Sequence, residues 1–185
     1  MSKVVIAGNA SGTGVYTLEA PNGNTDRTLV LPDEAGTIIT TAGVPASAMP
    51  AGSVIQVVHG QLFSDRVYVS SSVFVNVGNG VAITPISASS KILVSIMVSV
   101  NIPHEFSVGR NGNSNLSGIT HGLFTQSGSI WQTESFFYVD SPATTSTQTY
   151  YLTARGYNGS TTTVNFGDYA ANGPFGYMTL MEIAQ

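Results

Sequence analysis

A chain of 185 residues has room for one ordinary domain and a small appendage, and its net charge of −4 with a pI near 5.1 argues against a nucleic-acid-binding surface. Charged residues make up 9% of it, against roughly 25% in an ordinary soluble domain, while hydrophobic residues stand at a normal 42%. Cysteine is absent, which excludes disulfides and thiolate chemistry. The missing charge is replaced by Ser, Thr, Asn and 20 Gly, a composition that suits an all-β protein with a neutral surface, or one largely covered by partners. The six basic residues, Lys3, Arg27, Arg66, Lys91, Arg110 and Arg155, are scattered and form no patch in sequence.

Residues 3–7 and 14–19 read as short strands, separated by a Gly- and Asn-containing turn over 8–12 and followed by a tight Asn22-Gly23 turn. The first apolar run is too short for a signal-peptide core, so the chain is expected to be made and kept in the cytosol unless something carries it out. Next come two β-type runs, 28–31 and 37–40, around a bend at Pro32-Asp33-Glu34-Ala35-Gly36. Leu29, Val30 and Leu31 make both faces of the first run apolar, and Ile38 and Ile39 do the same for the second. So short a hairpin cannot bury two faces by itself, and neighbouring copies are its expected cover. Residues 1–41 are thus read as a β-rich attachment arm built on Leu29, Val30, Leu31, Pro32, Gly36, Ile38 and Ile39. Residues 42–52, small and proline-containing, read as an extended linker.

From residue 53 to 185 the strands lengthen and fall at regular spacing: 54–63, 73–77, 81–85, 91–102, 105–110, 130–139, 148–157, 161–166 and 176–184. Asn-Gly turns at 79–80, 111–112, 158–159 and 172–173 punctuate them, which is the pattern of a sandwich or barrel. No window carries a helical period, so at most a short helical turn is expected. In 91–102, Ile92, Val94, Ile96, Val98 and Val100 form a core face, but the opposite face of Leu93, Ser95, Met97 and Ser99 is also half apolar. The last strand is apolar on both faces too. Leu93, Met97, Met178, Leu180 and Met181 are the candidate subunit contacts. The longest apolar run, 92–100, is too short to span a bilayer, and Ser95 breaks it.

The segments Tyr16-Thr17-Leu18-Glu19-Ala20-Pro21, Arg27-Thr28-Leu29-Val30-Leu31-Pro32 and Ala35-Gly36-Thr37-Ile38-Ile39-Thr40 resemble repeats of phage tail-fibre and related virion proteins. Ile83-Thr84-Pro85 with Ser89-Ser90-Lys91-Ile92-Leu93-Val94 is similar to the head domains of fibre-like proteins of marine and cyanobacterial phages. So are Asp140-Ser141-Pro142-Ala143-Thr144-Thr145-Ser146, Thr149-Tyr150-Tyr151-Leu152 and the ending Thr179-Leu180-Met181-Glu182-Ile183-Ala184. The resemblance implies a homotrimer with a jelly-roll head, like the globular heads of C1q and tumour-necrosis factor, on the outside of a virion. It implies a short fibre or receptor-binding appendage mounted by its arm. Because only about forty residues precede the head, a capsid decoration or cement protein is the alternative. The expected partners are the chain itself, other virion proteins of tail or capsid, and a host surface glycan or protein, with no nucleic acid, membrane insertion or cofactor.

Chemistry finds little purchase. The ten acids are mostly isolated, and the adjacent pair Asp33-Glu34 sits in a turn rather than a cleft. The fold is free to bring Glu105 and Glu134 together, but nothing in the sequence says that it does. His59, His104 and His121 share no metal-ligand spacing, and no nucleophile elbow or phosphate loop is present. The chain is expected not to be an enzyme, with a glycan-binding or glycan-cleaving protein as the reading from another class. Arg110, Asn111, Asn113, Trp131 and Tyr169 are the candidate receptor-facing residues, since amides, guanidinium and aromatic faces suit sugars and protein surfaces.

Overall fold

The computed structural model describes residues 11–15, 17, 22–26, 28, 44–64, 66–101, 104–118, 122, 124–126, 132–161, 163–166 and 176–185. The chain divides into two compact units, Met1–Ile38 and Ile39–Gln185. In the first unit the described residues contain no strand: Asn22 to Thr25 form a bend, and Gly14, Val15 and Thr17, expected in a strand, are not paired. Val15 is 92% exposed. The hairpin read over 28–40, with Leu29, Val30, Leu31, Pro32, Gly36, Ile38 and Ile39, lies outside the described residues apart from Thr28, which is not in a strand.

The second unit is all-β. Its strands are β1 (Val54–Gln61), β2 (Val67–Val69), β3 (Val75–Ile83), β4 (Lys91–Asn101), β5 (His104–Arg110), β6 (Phe124–Gln126), β7 (Gln132–Asp140), β8 (Gln148–Gly156), β9 (Val164–Phe166) and β10 (Gly176–Ile183). Three-residue 3₁₀ turns at Ala46–Ala48 and Tyr157–Gly159 are the helical content among the described residues. One antiparallel sheet runs β1-β10-β4-β7, with β9 joining β4 at Val100 and Asn101 and β2 pairing beyond it. The other runs β3-β8-β5-β6. Setting aside β2 and β9, the sheets read first-eighth-third-sixth and second-seventh-fourth-fifth, a jelly-roll-like sandwich order.

Alternation builds the core. Ile92, Val94, Ile96, Val98 and Val100 of β4 are buried, as the sequence pattern requires. They face Phe106 and Val108 of β5 and Tyr150, Leu152 and Ala154 of β8 within one cluster. Phe166 bridges the sheets, its ring 5.6 Å from both Phe63 and Phe106. Asn111-Gly112 and Asn158-Gly159 turn the chain with positive φ at both residues, as expected of Asn-Gly.

Three expectations change. Asn79-Gly80 is not a turn between strands: β3 runs through it by a bulge between Val77, opposite Leu152, and Val81, opposite Tyr150. Gly78 takes φ +67 there, and the Leu62 carbonyl accepts the Asn79 N–H at 2.6 Å. The short strands β2 and β6, three residues each, were not expected. The end of the segment read as a linker is structural: Gly52 N–H donates to Ala184 O at 2.8 Å and Ala184 N–H to Ser53 O at 2.9 Å, extending the β1–β10 ladder. The turn expected at 172–173 lies outside the described residues.

Candidate functional site

A β-strand points alternate side chains out of the sandwich, and the register aligns those of β1, β10, β4 and β7 into rows. One row is Val57, Met181, Leu93 and Val139; the next is His59, Thr179, Ser95 and Phe137; the third is Gln61, Tyr177, Met97 and Ser135. Val57 is 58% exposed, Phe137 64%, Val139 52% and Met97 43%. Among the described residues of this face, Lys91 at its margin is the one side chain with a permanent charge. Ordinary solvated faces carry many charges, whereas charge depletion with exposed aromatics and Met marks interface cores.

The middle row has relief. Ser95 and Thr179 are short, and they floor a shallow trough of about 360 Å³ walled by His59, Met97 and Tyr177. His59 Nδ1 lies 3.0 Å from Thr179 Oγ1, and its ring stacks on Tyr177 at 5.5 Å. Phe137 stands directly beside Ser95 in the register.

Of the candidate subunit contacts, Leu93, Met97 and Met181 lie on this outward face. Met178 and Leu180 do not: both are fully buried in the chain's own core and have no surface to offer. The parity was obscured by Glu182, which shares their inward face and is itself fully buried. Its carboxylate accepts the Ile86 N–H at 2.8 Å, the Ser87 N–H at 3.2 Å and the Gln56 amide at 3.2 Å, so it ties the loop before β4 to β10 and β1. The sequence reading missed Val57, Phe137 and Val139, although Phe136 to Val139 is apolar on both faces, the same signal that marked β4.

Two of the receptor-facing candidates, Arg110 and Asn111, hydrogen-bond within the molecule. Arg110 is the last residue of β5, and its guanidinium donates to the Asp140 carboxylate of β7. The Tyr150 hydroxyl donates to the same carboxylate at 2.7 Å. This clamp joins the two sheets. Burial, with the hydrogen bond to Asp140 and its charge, pushes the Tyr150 hydroxyl far above the usual tyrosine range, against a smaller opposing effect of Arg110. Burial by itself lowers the Arg110 pKa, but Tyr150 and Asp140 outweigh it and the net direction is up. The Asn111 amide donates to Gln148 Oε1 at 2.9 Å and accepts the Thr149 N–H at 2.9 Å, bracing its turn against β8. Asn113 is exposed, its Oδ1 accepting the Asn115 N–H at 3.0 Å. Trp131 and Tyr169 lie outside the described residues, as does His121.

The carboxylates tested for hydrolysis do not converge. Glu134 meets His104 Nε2 at 3.0 Å, and His104 stacks on Phe106 with ring centres 4.1 Å apart, on the core side of β5. Glu105, the next residue, points to the opposite face of that strand, where it accepts from Arg155 Nε at 2.6 Å and the Asn158 N–H at 3.0 Å. His104, Glu134 and Glu105 are buried, and Arg155 is partly so. No group of three or more His, Asp or Glu side chains converges among the described residues. In comparisons with known proteins, no family model matches the chain and no curated protein matches it.

Proposed function

We propose that the chain is a structural protein of a phage virion surface, a homotrimer whose subunits meet through the outward face of β1, β10, β4 and β7. The observation that carries the reading is that face: three aligned rows of side chains, apolar ones interspersed with uncharged polar ones and a histidine, with Lys91 as its one permanent charge among the described residues. An isolated monomer gains nothing from exposing Phe137, Val139 and Val57 together, while a copy of the chain laid against them gains their burial. Residues 1–41 serve as the arm that mounts the head on another virion component; the support is the resemblance of the 16–40 segments to fibre repeats. The function is attachment and shape, and the described acids Glu105, Glu134 and Asp140 of the head pair internally with Arg155, His104 and Arg110.

Two placements follow, a short fibre or receptor-binding appendage and a capsid decoration protein. The commitment of Arg110 to Asp140 within the head favours decoration, while Asn111 and Asn113, both exposed, are what the appendage reading has to offer a receptor. Gold-labelled antibody against residues 53–185 on intact particles tests the reading. Label at a tail tip supports the appendage, label over the capsid supports decoration, and particles that contain none of the protein refute both.

A further inference from the structure

The outward face holds a raised aromatic ring and a trough in one row, and we infer that Phe137 of one copy seats in the trough of a second copy. The inference rests on the subunit reading above and adds to it the contact that orients the copies. The row His59–Thr179–Ser95–Phe137 crosses all of β1, β10, β4 and β7. Its two central side chains are the short ones, so the surface dips there, with Met97, Tyr177 and His59 standing around the dip. Phe137 stands beside the dip rather than in it and is 64% exposed, so its own trough is left open. The trough volume of about 360 Å³ exceeds that of a phenyl ring, and its walls suit one: a thioether, a phenol ring and an imidazole.

The occupant is a copy of the chain rather than a foreign protein because ring and trough lie on the same face. A surface carrying both can be satisfied by itself, and a ring-into-trough contact repeated by a rotation that closes, as the trimer reading requires, makes a cycle. A charged partner finds no complement: the described face has one lysine at its margin and no carboxylate. Size agrees. Strands about 4.8 Å apart and eight residues long, as β1 and β10 are, give a face of roughly 500 Å² in projection. The relief of its side chains brings it toward the ~800 Å² that each partner contributes to a standard interface.

The test replaces Phe137 with p-benzoylphenylalanine, irradiates the full chain at micromolar concentration, and reads covalent oligomers on a denaturing gel, where a crosslink within one chain does not register. The expected result is covalent dimers and trimers whose joined peptides carry Met97 or Tyr177. In parallel, Phe137→Ala is expected to weaken association by ~30-fold or more, as loss of a central aromatic does, with the melting of the dissociated chain unchanged because the side chain is exposed. If the unmodified chain is a monomer, the subunit reading falls and this contact falls with it. If the chain assembles but crosslinks map elsewhere, or Phe137→Ala assembles as tightly, the ring-into-trough contact is overturned and the subunit reading stands.

Discussion

Removing the Asp140 carboxylate should open the seam between the two sheets. Asp140→Ala leaves the Arg110 guanidinium without its ion-pair partner and the fully buried Tyr150 hydroxyl without an acceptor. Breaking a buried ion pair by deleting one partner costs about 3–5 kcal/mol. The Arg110 side chain is 23% exposed and can recover some hydration, which reduces the loss to about 2–4 kcal/mol. For a chain of this size that is a fall in Tm of roughly 5–15 °C. Circular dichroism during thermal and guanidinium unfolding measures it, at one fixed protein concentration because assembly couples to stability. The double variant Arg110→Met, Asp140→Ala should lose less than the two single changes together, since it strands no charge. An Asp140→Ala protein within about 0.5 kcal/mol of the parent would refute the view of the clamp as a structural joint and return Arg110 to the receptor-facing candidates.

Other expectations concern the same architecture. Tyr150 keeps its proton in the folded state above pH 10, where an unfolded tyrosine loses it, so its contribution to stability is complete below about pH 10 and declines as pH rises beyond that; Tm measured from pH 9 upward should fall less steeply for Tyr150→Phe, and equal slopes would contradict the burial argument. Gly78→Ala should cost roughly 2–4 kcal/mol, because φ is +67 and a Cβ would stand 2.2 Å from the Leu62 carbonyl oxygen; a protein that melts as the parent does would mean the bulge can relax. Ser95→Arg places a charge at the centre of the outward face and should dissociate the assembly in a sedimentation experiment while leaving the far-ultraviolet spectrum unchanged.

Much of the sandwich was legible because its long strands follow a strict alternation. Ile92 to Val100 identify their own buried face, and Asn111-Gly112 and Asn158-Gly159 announce turns by chemistry that few other pairs share. Asn79-Gly80 has the same chemistry but a different result, since the Leu62 carbonyl, seventeen residues earlier, holds the bulge. That contact is non-local, and sequence carries no mark of it. The parity of β10 was illegible for a related reason. Tyr177, Thr179, Met181 and Ile183 look no less buried than Met178, Leu180, Glu182 and Ala184, and a glutamate on the second set points the wrong way unless its bonds to Ile86 and Ser87 are known. Arg110 beside Asn111-Gly112 looked like a loop tip, yet it ends a strand on the core side, where Asp140 from thirty residues on meets it. The outward face was half readable: two-faced strands pointed to a partner, but only the register joins Val57, Met181, Leu93 and Val139 into one row.

Sedimentation equilibrium of the purified chain at micromolar concentration and neutral pH tests the central claim most directly. The account predicts a single species of three times the 19.3 kDa chain mass. A 19.3 kDa monomer at that concentration would contradict it.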